Sequence, residues 1–248
     1  MPQRVNHIED SAKRVRVYLG GEVVADTTRP RLVWEIPHFP QYYFPVDDVR
    51  SELLVATGAT THSPSRGDGK VFTVKAGDRE AVNAAWRFDS SPIEGLREYI
   101  RFEWEAMDAW FEEDEEVFVH PRDPHHRVDI LASSRHVRVE LDGVTLAESS
   151  SPRLLFETSL PVRYYLPKPD VRLDLLVPSE TVTSCPYKGT TVHLSADIDG
   201  TVRPDVAWSY QAPVLESVKI AGLVCFYNER VDLYVDGERL ERPDTPWS

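Results

Sequence analysis

The stretch richest in chemistry is Thr181 to Gly189, TVTSCPYKG. Pro186 and Gly189 bracket a turn, which is predicted to bring Cys185 and Lys188 toward each other at i and i+3. A nearby ammonium favours thiolate over thiol and lowers a cysteine pKa below its free value of about 8.5. A thiolate at a turn can serve as a nucleophile, or as a redox centre without a resolving cysteine. Cys185 and Lys188 are therefore the candidate reactive pair. A plainer reading stands beside it: a structural turn, with Tyr187 packed, Lys188 in solvent and Cys185 a small hydrophobe. Glu157 follows Leu154-Leu155-Phe156 on an apolar strand. Its carboxylate is either exposed by alternation or buried with a partner, for which Lys188 and Arg163 are the candidates. Cys225 lies in the apolar run AGLVCF and reads as core. His120, His125 and His126 crowd a linker, without the further ligands a metal needs. No metal and no cofactor is expected.

The elements that hold these residues are set by the whole chain. It has 248 residues, with 28 Lys+Arg against 41 Asp+Glu and a formal charge of −13. That acidity argues against a nucleic-acid partner, since phosphate backbones are repelled. There is no apolar run of about 18 residues for a membrane helix and no apolar core of a signal peptide near the N-terminus. The expectation is a soluble, cytoplasmic protein with no membrane partner. Two cysteines are too few for a disulfide scaffold, and a bond between them is not expected.

Shifted by 122 residues, the chain matches itself. RVRVYLGGEVVADTTRPRLVWE (14–35) lies over HVRVELDGVTLAESSSPRLLFE (136–157), and QYYFPVDDVR (41–50) over RYYLPKPDVR (163–172). From Arg14 to Gly67 there are 22 identities in 54 positions. Trp86 meets Trp208, and one residue of slippage puts Pro92 over Pro213. This is one domain in tandem, with 1–125 as the first copy and 126–248 as the second.

The hydrophobic period is two. Val15, Val17 and Leu19, then Val137, Val139 and Leu141, alternate with polar residues, which predicts strands with one buried face. Gly20-Gly21, Asp142-Gly143, Asp199-Gly200 and Asp236-Gly237 read as turns that close or end strands, the first two as two-residue hairpin turns. Further strands are predicted at Val171 to Val177, Val192 to Ile198 and Val231 to Val235. One short helix is predicted in the first copy, Glu103 to Glu113, with Met107, Trp110 and Phe111 on one face. The acidic run Glu112 to Glu116 would then be a turn between helix and strand, or a docking face for a basic partner. The class is all-β, with small coiled sheets.

The duplication supplies an internal control. Ser63-Pro64-Ser65-Arg66-Gly67 stands where the second copy has Cys185-Pro186-Tyr187-Lys188-Gly189. The turn residues are kept and the reactive groups differ. Glu35, Tyr42, Tyr43 and Trp86 are also kept. The second copy is thus expected to carry any chemistry, and the first to hold a degenerate site.

Several pieces together carry a family likeness: Gly143, Ala147-Glu148, Glu157, Tyr164-Tyr165-x-Pro167, Asp170-Val171, the turn at 185–189, Trp208-x-Tyr210-x-x-Pro213 and Phe226-Tyr227. In combination they resemble the DUF427 family, a domain of unknown function, in its actinobacterial-type two-domain form. The resemblance implies two β-tent-like (Mss4-like) domains, in which small antiparallel sheets meet around a groove. It implies no activity. The family also bears a nucleotidyltransferase-like label, but this chain has no Gly-rich phosphate loop and no clustered Asp pair to match it. The family pattern adds Glu157, Tyr164, Tyr165, Tyr187, Trp208 and Tyr210 as ligand-binding neighbours of Cys185 and Lys188, a lining suited to a small polar molecule. The alternative is a non-catalytic module that holds a peptide or protein partner, or senses.

Overall fold

Paired residues with positive φ close the hairpins. Two-residue turns of this type need left-handed backbone at both central positions, which Asp-Gly and Gly-Gly tolerate. In the computed structural model, which describes residues 6–245, Asp142 and Gly143 sit at φ 52° and 80°, Asp199 and Gly200 at 50° and 76°, and Asp236 and Gly237 at 54° and 87°. The strands on either side pair as expected: Leu141 faces Val144, Ile198 faces Thr201 and Val235 faces Glu238.

The chain divides between Asp123 and Pro124 into two compact units. Among the described residues each unit has two antiparallel sheets, one of seven strands and one of four. The fold is all-β and tandem, without a closed barrel. In the second unit the large sheet runs in the order Val128–Ala132, Arg153–Glu157, Arg163–Leu166, Val224–Phe226, Thr201–Ser209, Gly189–Ile198, Leu176–Cys185. The first unit repeats this order with Ile8–Asp10, Arg31–Val33, Gln41–Pro45, Tyr99–Phe102, Arg79–Arg87, Gly67–Ala76 and Leu54–Ser63.

Strand alternation gives each large sheet two faces. In the second unit one face packs on the small sheet, with Leu154, Tyr164, Leu166, Val224 and Phe226 meeting Val137, Val139 and Leu233. The other face carries a separate cluster of Ile130, Leu155, Tyr165, Trp208, Tyr210, Ile220 and Cys225. The candidate site lies on this second face.

Two predicted elements differ. Glu103 to Glu113 is not a helix: Trp104–Ala106 is a single 3-10 turn and Ala109–Glu112 is a strand. Helical spacing of the aromatics is overridden by pairing along Val15–Leu19, where Trp110 faces Val17. Trp110 also stacks on Trp104 at 4.5 Å and donates from Nε1 to its carbonyl at 3.0 Å. The acidic run is a turn only at Glu113-Asp114, between that strand and Glu115–Glu116. Glu112 itself is buried, accepting from Tyr42 Oη at 2.5 Å and Lys13 Nζ at 2.6 Å. The second difference is Val171 to Leu175. The segment forms 3-10 turns at Lys168–Asp170 and Leu173–Leu175, and the strand starts at Leu176. Asp170 accepts from Ser149 Oγ at 2.6 Å and Arg172 N donates to Leu146 O, which turns the chain before it can extend.

Candidate functional site

Three elements of the second unit converge on one carboxylate. Glu157 ends its strand, Lys188 lies in the turn between Leu176–Cys185 and Gly189–Ile198, and His126 precedes Val128–Ala132. The register Val128 opposite Glu157 brings His126 within reach. Lys188 Nζ donates to Glu157 Oε1 and Oε2, both at 2.5 Å, and His126 Nε2 lies 3.0 Å from Oε1. The side chains of Glu157 and Lys188 are 6% and 11% exposed. Burial by itself would raise the carboxyl pKa; the hydrogen bond from His126 and the Lys188 ammonium outweigh it and hold Glu157 below the usual range.

Three hydrogen bonds clamp the turn. Lys188 N donates to Cys185 O at 3.3 Å, Val214 N to Lys188 O at 3.2 Å, and Ser217 Oγ to Tyr187 O at 2.9 Å. The Tyr187 ring stacks on His126 at 4.1 Å. Gly189 has φ +96°, and a Cβ there would press on Val214 N at 3.3 Å. This is why a glycine ends the turn.

Beside the turn lies an aromatic layer. Trp208 Nε1 donates to Tyr165 Oη at 3.1 Å, and Trp208 sits 4.4 Å from the Tyr227 ring. Burial pushes the Tyr165 and Tyr210 phenols far up, so both stay protonated. Cys225 is fully buried here, and burial pushes its thiol up to about 12. Arg163 pairs with Glu229 through two 2.7 Å bonds, and the Glu229 side chain is fully buried. Of the two partners expected for Glu157, Lys188 takes the position and Arg163 does not.

The structure thus gathers Glu157, Lys188, Tyr187, Tyr165, Trp208 and Tyr210 on one face, with Cys185 half-buried at the end of the edge strand. It does not bring Tyr164 there: adjacent to Tyr165 in sequence, Tyr164 points into the main core. The Lys188 ammonium is directed to Glu157 rather than to the Cys185 thiol that it was expected to activate. Sequence reasoning missed His126 as a site residue, because its partner lies 31 positions away. A surface depression of the second unit, lined by Thr145, Glu148, Pro169 and Arg172 among others, shares no residue with this site. Among the described residues no group of three or more His, Cys, Asp and Glu is gathered as a metal requires.

The first unit keeps the frame with other cations. Glu35 accepts from Tyr43 Oη and from Arg101 Nη1, each at 2.7 Å, with Arg66 at 3.4 Å. Arg101 faces Tyr43 and Trp86 across the sheet, where the second unit has Cys225 facing Tyr165 and Trp208. A carboxylate held by a cation from the turn is therefore common to both copies, and the thiol of the layer belongs to the second.

Among curated proteins no relative matches the chain. Among protein families, the one described as Domain of unknown function (DUF427) matches twice, over residues 7–113 and 129–237. The two matches cover the same two repeats that the sheets duplicate, and the chain belongs to the DUF427 family as a tandem pair of its domains.

Proposed function

We propose that the second unit binds a small polar molecule on the face beside the Glu157–Lys188–His126 cluster, with Cys185 as the reactive group at its rim. The observation that carries this reading is the buried, doubly bonded Lys188–Glu157 pair set against an aromatic layer. Buried ion pairs contribute little net stability compared with apolar packing, so a pair retained next to aromatic rings fits a recognition role. In this reading Lys188 and His126 hold the carboxylate ionised, and Tyr187 and Tyr210 border the ligand. The reading takes the protein to act in the cytoplasm without a nucleic-acid or membrane partner, supported by the net charge of −13.

A thermal-shift screen of a panel of small metabolites tests it. A ligand at 100 times its Kd stabilises by about 2.7 kcal/mol. Support is a hit whose shift is lost in Glu157→Gln but kept in a first-unit variant, Glu35→Gln. Hits that ignore Glu157→Gln, or no hits, count against it. The second reading, a partner-binding module, is favoured by Leu215 and Val218. They are 82% and 56% exposed on the 3-10 segment Leu215–Ile220, whose Ser217 holds the turn. Pull-down of a peptide partner that Leu215→Ser abolishes supports that module instead.

A further inference from the structure

The same face continues past Trp208 to a histidine that the reading above does not use. His193 faces Trp208 across the sheet and is 3% exposed. Its Nε2 lies 3.0 Å from the hydroxyl of Thr183, an exposed residue on the edge strand. Thr191 Oγ1 lies 3.3 Å from that same hydroxyl, and the Tyr227 ring stacks on the imidazole at 6.2 Å and 23°. The ring is fixed by packing, and the residue that carries the hydroxyl in front of it is exposed.

Asp205 is a charged neighbour of the imidazole. It sits at φ +49°, a left-handed conformation that is uncommon for a residue with a side chain. Its carboxylate takes hydrogen bonds from Thr181 Oγ1, at 2.8 Å, and from the Ser179 hydroxyl, while His193 Nδ1 is buried without a hydrogen-bond partner. A buried polar atom without a partner is rare in a folded protein. Burial lowers the His193 pKa below its ordinary 6.5, Asp205 opposes that shift, and Arg230, which donates to the Asp205 carbonyl, adds to it. The imidazole is therefore neutral near pH 7, the form a general base requires.

The first unit provides the contrast. At matching register it keeps the hydroxyl, as Thr61, but has Val71 in place of His193 and Asn83 in place of Asp205. The turn of the backbone is conserved, since Asn83 also has positive φ at 55°. The imidazole at this register is present only in the second unit.

We propose that Thr183 and His193 form a nucleophile–base dyad for acyl transfer from a small uncharged ester or thioester. The inference rests on the reading that this face takes a small molecule. With the ring proton on Nδ1, Thr183 Oγ1 attacks the acyl carbon and passes its proton to His193 Nε2. The carbonyl π pair moves onto oxygen. On collapse that pair returns, the bond to the leaving oxygen or sulfur breaks, and the imidazolium gives its proton to the departing group. Water, deprotonated by His193 in turn, then bonds to the acyl carbon, the bond to Thr183 Oγ1 breaks, and the imidazolium returns its proton to that oxygen as the acid leaves. A hydroxyl nucleophile beside an exchanging base is the arrangement such chemistry needs.

The test is acetylation of the full chain by p-nitrophenyl acetate near neutral pH, with the acetyl group mapped by peptide mass. The expected result is acetyl on Thr183, with a rate that climbs with pH below the ordinary histidine pKa. Thr183→Val removes it. His193→Gln and His193→Asn slow it by about 100-fold or more, while Thr61→Ala leaves it unchanged. Near-UV circular dichroism reports whether each His193 variant is folded. Acetyl on Thr183 at equal rate in a folded His193 variant overturns the dyad. Acetyl only on Cys185 or Lys188 overturns it too, and leaves the reactive-turn reading standing. With no acetyl on any of these the dyad fails, and the thermal-shift screen, which needs no chemistry, judges the binding reading separately.

Discussion

Lys188 Nζ lies 2.5 Å from both carboxylate oxygens of Glu157, and the two side chains are almost fully buried. The pair ties the turn at 185–189 to the strand Arg153–Glu157 across the second face of the large sheet. Removing Lys188 leaves a buried carboxylate with only His126 beside it. Lys188→Met should therefore lower the stability of the second unit by about 3–5 kcal/mol. Adding Glu157→Gln to it should recover part of the loss, because no orphan charge then remains. Hydrogen exchange in urea, followed on peptides from 153–157 and 189–198, checks both. Equal losses in the single and double variants would show that the pair is not acting as a unit.

Acid should act on the same pair. The folded-state pKa of Glu157 lies below its ordinary 4.5, so its stability contribution is complete above that value and disappears as pH falls through the lower one. The second unit should lose stability in that acid window, and Glu157→Gln should make the loss shallower. Part of the slope stays, because Glu229 is also held below its ordinary 4.5. The measurement is the urea midpoint of the second unit against pH.

The two cysteines should react very differently. Cys225 is fully buried and its thiol is pushed up to about 12, whereas Cys185 is half-buried at the turn. Iodoacetamide near neutral pH should alkylate Cys185 in the native protein and Cys225 only after unfolding. Mass mapping of the alkylated peptides reads this directly. A Cys185 that labels no faster than Cys225 removes the thiol from the proposed chemistry.

Gly189→Ala tests the turn itself. The position has φ +96°, and an added Cβ would lie 3.3 Å from Val214 N. The strained conformation alone costs about 1–2 kcal/mol, and the crowding adds to that. The expected result is a lower unfolding midpoint for the second unit and faster alkylation of Cys185, since the Val214 clamp on Lys188 loosens. Gly143→Ala, where no atom lies within 4 Å, isolates the conformational part.

Much of the architecture was legible in the residues. The tandem duplication, the all-β class and the Asp-Gly hairpins follow from self-similarity, a period of two and local φ requirements, and these are properties of neighbouring residues. The kept carboxylate and turn, Glu35 with Arg66 and Glu157 with Lys188, were visible because two copies in one chain can be compared. Where local pattern misled, a long-range partner was the cause. The spacing of Met107, Trp110 and Phe111 fits a helix, but the chain's own strand Val15–Leu19 offers Trp110 a place in a sheet.

The sequence by itself determined the fold class, the repeat and the turn that carries Cys185 and Lys188. Tertiary structure alone decided what that turn touches. It sent the Lys188 ammonium to Glu157 and away from the thiol, put His126 on the same carboxylate, and separated Tyr164 from Tyr165 onto opposite faces. It also set His193 behind the Thr183 hydroxyl. The reason is physical. A hydrogen bond between strands depends on register, and register is set by the whole sheet, so no single segment contains it.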